Sequence, residues 1–230
     1  MLTASIAHEV NQPLSGINTN SLTCLRLLDA DPPNLERARE TVRRTVRDVN
    51  RASDVIERLR DLFSGAELTL EWIDLSEITS EVTALSLNDL QRNRITLQLE
   101  LAEDLPTITG DRIQLQQVIL NLLRNASDAM VDVHDRPRQL LIRTERHDED
   151  RVRLRVRDTG VGIDSERMTK LFDPFHTTKT DGMGIGLSVS RSIIERHHGR
   201  LWAEPNDGLG ATFSFSIPVR PESVTDPPPK

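Results

Sequence analysis

Apolar residues recur at Ile6, Val10, Leu14, Ile17, Leu22, Leu25 and Leu28, and residues 3 to 29 hold no glycine except Gly16. That spacing predicts one long helix. Pro13 should bend it, because proline removes a hydrogen bond and clashes with the preceding turn. Asp31-Pro32-Pro33-Asn34 breaks the pattern, and either Asp31 or Asn34 can cap a second helix. From Leu35 to Phe63 the apolar positions are Leu35, Ala38, Val42, Val46, Val49, Ala52, Ile56, Leu59 and Phe63. Steps of three and four make this a coiled-coil seam. Two long helices joined by a short turn predict an antiparallel hairpin. A hairpin cannot bury both seams alone, so a second copy is the simplest partner, giving a homodimeric four-helix bundle.

Ser64-Gly65-Ala66 ends this region, and beyond Leu68 the period changes. A short strand is predicted at 73–75, then a helix over 76–92 capped by Ser76. Ile95 to Leu101 alternates strictly and predicts a strand. Asp111 caps a long helix reaching about Val133. Gln139–Arg146 and Arg151–Asp158 predict a hairpin whose second arm turns Val152, Leu154 and Val156 inward and four arginines outward. A helix from Gly186 to His198, stopped by Gly199, precedes strands at 200–204 and 211–217. The proline-rich residues 221–230 predict a disordered tail. The fold class is therefore α+β: a helical hairpin over 1–66, a mixed α/β domain over 67–220 and the tail.

The formal charge is −7, which argues against nucleic acid as a partner. Residues 67–230 carry all of it, 27 acids against 20 bases. Aromatics are 3% with no tyrosine, so no stacking platform for single strands exists. One cysteine, Cys24, excludes an internal disulfide and fits a reducing, cytoplasmic setting. No apolar run is long enough for a membrane span.

The candidate chemistry lies in five places. His8 stands beside Glu9, with Asn11, Gln12 and Pro13 following on the same helix. Asn121, Asn125 and Asp128 share one helix face, opposite leucine and valine. Asparagine is a poor helix former, so this face either serves a ligand, such as phosphate-bound Mg²⁺, or is merely solvated. Asp158-Thr159-Gly160-Val161-Gly162-Ile163 ends a strand; its carboxylate can accept from an adenine amino group, and its glycines admit close backbone approach. By itself it also reads as an ordinary turn. Gly182, Gly184 and Gly186 precede a helix, a phosphate-binding arrangement that is neither a Walker loop nor a dinucleotide fingerprint. Phe172-Asp173-Pro174-Phe175, with Lys179 after it, reads as a lid. His197 and His198 end a helix, where positive rings suit the dipole.

The order of these segments closely resembles a bacterial sensor histidine kinase: an H-box (His8 to Pro13), N-box (Asn121 to Met130), G1-box (Asp158 to Ile163), F-box (Phe172 to Phe175) and G2-box (Gly182 to Leu187). The closing Gly208 to Phe215 is similar to the end of the same family's ATP domain. The resemblance implies the ATP sandwich shared with gyrase and Hsp90. It implies that His8 accepts the phosphoryl group from ATP, with Glu9 as the assisting acid. It implies Mg²⁺ on Asn125 and Asn121, Asp158 reading adenine, and Thr212 helping near the same edge. Gly160, Gly162, Ile163, Asp128, Leu187, Lys179 and glycines 182, 184 and 186 would line the nucleotide, with Arg124 a phosphate contact. The expected recipient is an aspartate of a response-regulator receiver domain. A sensor region normally precedes the H-box in this family, so a longer parent protein, membrane-anchored in some members, is expected. Gln12 stands where many members have Thr or Asn, which bears on phosphatase action rather than kinase action. A gyrase-like ATPase would want a carboxylate at 121, where this chain has Asn121.

Overall fold

The computed structural model describes residues 2–63, 68–164, 168–174 and 185–219, with side chains in the first segment given for 12–49 and Ala52. The chain forms two compact units, divided at Gly65–Ala66. The linker residues 64–67 and the proposed tail lie outside the described residues.

The first unit is α1 (Leu2–Leu28) against α2 (Leu35–Phe63). Asn34 caps α2: its Oδ1 accepts from the Arg37 amide at 3.1 Å. Pro13 sits inside α1, and Ala38, Thr41 and Ala52 are buried at the seam. Gly16 lets the helices close on Asp48, since a Cβ there would lie 2.6 Å from Asp48 Oδ2. The same Oδ2 accepts from Asn20 Nδ2 at 2.9 Å, a polar clasp that fixes the register of the pair. Leu14, Leu22, Leu25, Val42, Val46 and Val49 remain exposed in the single chain. This is an apolar stripe that one hairpin leaves uncovered.

The second unit is a five-stranded sheet with helices on one face. Its strands are β2 (Ile95–Leu101), β4 (Arg138–Asp148), β5 (Arg151–Asp158), β7 (Ala211–Pro218) and β6 (Arg200–Pro205), in the order β2-β4-β5-β7-β6. Only β2 and β4 are parallel. A separate antiparallel pair joins β1 (Glu71–Ile73) to β3 (Ile108–Gly110). The helices are α3 (Leu75–Arg92), α4 (Arg112–Ala129) and α5 (Gly186–Arg196). Ile78, Val118, Leu122, Ile193 and Ile194 from the helices share one core with Val152, Leu154, Val156, Phe213, Phe215 and Ile217 from the sheet. Each fully buried aliphatic of this kind contributes about 1.5–3 kcal/mol.

Several boundaries differ from the sequence reading. Asp74, not Ser76, caps α3: its Oδ1 accepts from Ser76 N at 2.7 Å and Glu77 N at 3.1 Å. The carboxylate one position before the helix outcompetes the hydroxyl inside it. Ser76 Oγ instead donates to the Ala102 carbonyl at 2.8 Å. The first strand accordingly runs over 71–73. Strand β3 carries no alternation long enough to be seen in sequence. Helix α4 ends at Ala129, short of Val133. No helix among the described residues is long and apolar enough to cross a membrane.

Candidate functional site

Alternation along β5 sends Val152, Leu154 and Val156 into the core, and Asp158, two residues on, points the same way. Its carboxylate is 1% exposed. Oδ1 accepts two backbone N–H bonds, from Gly160 at 2.8 Å and from Ala211 at 3.3 Å. Burial raises the carboxyl pKa above 3.8, and the amide bonds only partly offset this. Both of these amide bonds fall on Oδ1, and neither uses Oδ2.

The loop after Asp158 is pinned from several sides. Val161 N donates to the Ala129 carbonyl at 3.1 Å, tying the loop to the end of α4. Gly160 is required here: a Cβ would sit 2.6 Å from that carbonyl oxygen and 2.8 Å from Asp158 Oδ1. Gly162 adopts φ +80 and faces Gly210, whose φ is +93. Arg136 donates from Nε to the Thr159 carbonyl at 3.1 Å and from Nη2 to the Gly160 carbonyl at 2.9 Å. On the other side Asn206 Nδ2 donates to the Asp158 carbonyl at 2.8 Å. Neither Arg136 nor Asn206 is marked by any sequence signal. Both act on backbone carbonyls brought near only by folding.

Helix α4 brings Asn121 and Asn125, both half-buried, along the face that ends at this loop. Asn121 Nδ2 donates to Ser190 Oγ on α5 at 2.9 Å. Its Oδ1 lies 2.5 Å from where a Cβ would stand at Gly186, so the glycine admits the start of α5 against the carboxamide. Among the described residues no side chain caps the first turn of α5. A helix start of this kind suits an anion. Asp158, Gly160 and Gly162 thus lie where the end of β5 is tied to the end of α4, Asn121 meets Gly186 and Ser190 of α5, Asn125 lies between these two places on α4, and Leu187 follows Gly186. Arg124 and Asp128 are exposed on α4, and Ile163 packs against the core edge. A hard-oxygen carboxamide pair suits Mg²⁺ held mainly by phosphates.

Thr212 is not brought to the Asp158 carboxylate. It pairs with Arg157 and points to the opposite face of the sheet. Its Oγ1 donates to Asn206 Oδ1 at 2.7 Å. Ala211 occupies the near side instead. The inward turn of Phe213, Phe215 and Ile217 already implied this, since a period of two puts Thr212 outward.

His197 also departs from the expectation of a positive ring. It is buried, and desolvation lowers its pKa from 6.5. In the neutral tautomer Nδ1–H donates to the Ile193 carbonyl at 2.7 Å and Nε2 accepts from Asp111 N at 2.9 Å.

His8 and Glu9 fall within α1, but their side chains lie outside the described residues, as do Phe175, Lys179, Gly182 and Gly184 entirely. Phe172 is half-buried, with the Arg191 guanidinium 5.9 Å from its ring centroid.

Residues 110–221 match the family described as histidine kinase-, DNA gyrase B- and HSP90-like ATPase, and residues 1–68 match the His Kinase A (phospho-acceptor) domain. The sensor histidine kinase TmoS of Ectopseudomonas mendocina is 38% identical over 94% of this chain and 22% of its own length. The sensor protein FixL of Bradyrhizobium diazoefficiens is 37% identical over 96% of this chain and 44% of its own. The chain therefore spans less than half of these curated relatives. Among solved structures, the catalytic domain of histidine kinase ThkA is 33% identical, covering 66% of this chain and 99% of that one, at TM-score 0.59. ThkA in complex with the response regulator TrrA is 29% identical, covering 97% and 62%, at TM-score 0.73. A helical hairpin bearing His8, followed by a mixed sheet with a buried aspartate at the end of β5, thus matches these relatives in sequence and fold: the chain belongs to the histidine kinases, spanning their phosphoacceptor and ATPase-type domains.

Proposed function

We propose that this chain autophosphorylates His8 from ATP with Mg²⁺ and passes the phosphoryl group to an aspartate of a response-regulator receiver domain. The observation that carries the nucleotide half is the Asp158 carboxylate, buried and held on one oxygen by two backbone amides. A fixed acceptor of this kind suits an amino group such as that of adenine and repels a carbonyl in its place. Gly160 and Gly162 let the base lie close to backbone, and the start of α5 offers N–H groups to phosphate. Asn125 and Asn121 would hold Mg²⁺, which when bound neutralises phosphate charge. Arg124, Asp128, Ile163 and Leu187 would complete the lining, with Lys179, Gly182 and Gly184 supplied by the lid. Thr212 acts at one remove, by holding Asn206.

In the transfer, one ring nitrogen of His8 attacks the γ-phosphorus. The N–P bond forms as the P–O bond to ADP breaks. Glu9 draws the hydrogen of the other ring nitrogen. Transfer requires the reacting atoms within about 3–3.5 Å. The phospho-acceptor match and the exposed stripe on α1 and α2 support a homodimer. ThkA is known in complex with a response regulator, and that supports the recipient.

The test is labelling with γ-³²P-ATP and Mg²⁺. Acid-labile, alkali-stable label is expected, lost in His8→Ala with nucleotide affinity intact. Nucleotide binding without label would mean a nucleotide-dependent scaffold. A monomer by light scattering across micromolar concentrations would exclude the dimer.

A further inference from the structure

The arginines of β5 take no part in the nucleotide site. They point away from the helices, on the sheet face opposite the Asp158 carboxylate. Arg151, Arg153, Arg155 and Arg157 stand at every second residue, roughly 7 Å apart along the strand. Arg143 on β4 lies opposite Arg155, and Arg200 on β6 shares the same face through Ser216. The acids on this face are fewer. Glu100 pairs with Arg143. Glu145 pairs with Arg153 at 2.6 Å and, more weakly, with Arg155 at 3.9 Å. Glu204 lies across from Thr212. Arg157 is exposed and makes no ion pair among the described residues. Leu141, Arg143, Arg155 and Arg157 line a concavity of about 100 Å³. Farther along the sheet Trp202 lies under the Arg200 guanidinium at 5.8 Å. Between Trp202 and Arg155 in register, Ser214 Oγ is buried with no hydrogen bond among the described residues.

We propose that this face docks an extended acidic segment of a partner protein, with one carboxylate seated in the concavity beside Leu141. An extended chain with an acid at every second residue repeats at the spacing of the arginines. Arginine forks bind carboxylates in two-point geometry, and arginine with tryptophan is the composition of protein-binding surfaces. The occupant is protein rather than nucleic acid. The chain as a whole is −7, so a long polyphosphate is repelled everywhere else, whereas a short acidic segment also gives Leu141 and Trp202 apolar contact. The proposal does not rest on the kinase reading.

The experiment is fluorescence anisotropy of a labelled alternating glutamate–serine octapeptide against the full chain. Saturable binding is expected, weakened at least about tenfold in the R155Q/R157Q double variant and by salt at about 0.5 M. Unchanged melting by circular dichroism verifies the fold. If the double variant does not fold, R157Q alone, at an exposed residue, should still weaken binding measurably. Absent binding, or binding equal in the variants, overturns the proposal. So does an oligothymidylate that displaces the peptide at lower concentration, because the face would then read phosphate.

Discussion

The Gly160 amide donates to Oδ1 of Asp158 at 2.8 Å, so the glycine that makes room beside the carboxylate also fixes its orientation. Loss of the charge with retention of shape isolates what that carboxylate does. Asp158→Asn can keep Oδ1 on both amides but puts a donor where Oδ2 stood. Affinity for an ATP analogue, measured by calorimetry, should fall about 10–100-fold.

The same variant should be more stable than the wild type at neutral pH. Burial raises the folded pKa of Asp158 above 3.8. Folding therefore favours the protonated carboxyl: its contribution is full below 3.8 and is lost as pH rises through the raised value. Urea unfolding should show Asp158→Asn ahead at about pH 7, with the gap closing below 3.8. A wild type that is the more stable at neutral pH would contradict the burial argument.

Gly160→Ala should damage both fold and site. The added Cβ meets the Ala129 carbonyl oxygen at 2.6 Å and the Ala129 Cβ at 2.8 Å, neither of which swings away. A loss of about 1–3 kcal/mol in urea unfolding is expected, together with weaker nucleotide binding. Gly208→Ala offers the contrast. Nothing lies within 4 Å of its Cβ position, so its cost is confined to the φ of +117.

His197 should give stability an acid-side slope. Its folded pKa is lowered below 6.5 by burial, with Asp111 opposing and Arg196 and His198 adding to the effect. The neutral ring supports folding above 6.5, and that support is lost as pH falls toward and through the folded pKa. Protonation also removes the acceptor that Asp111 N–H uses. Thermal melts from about pH 7 down to 5 should lose this slope in His197→Gln.

Thr212→Val separates a supporting role from a ligand contact. It deletes the bond to Asn206 Oδ1, the residue that holds the Asp158 carbonyl. A stability loss of about 1 kcal/mol is expected, with ATP affinity within about threefold of wild type. An affinity loss as large as that of Asp158→Asn would put Thr212 in the site.

Much of this protein is written locally. The steps of three and four from Leu35 to Phe63, the alternation of Ile95 to Leu101 and the inward Val152, Leu154 and Val156 are periodicities that any short window carries. Asp158, Gly160, Asn121, Asn125 and Gly186 were legible because their types are costly or unusual where they stand. Tertiary structure decided what joins them. Asn206 reaches Asp158 across 48 residues and His197 reaches Asp111 across 86. Arg136 grips two carbonyls exposed only once β5 has ended. Strand pairing turned Thr212 away from the carboxylate and brought the Ala211 amide to it. The physical reason is common to all four. A side chain's bond to a distant backbone group carries no sequence period, and a strand residue's face is fixed only with its register.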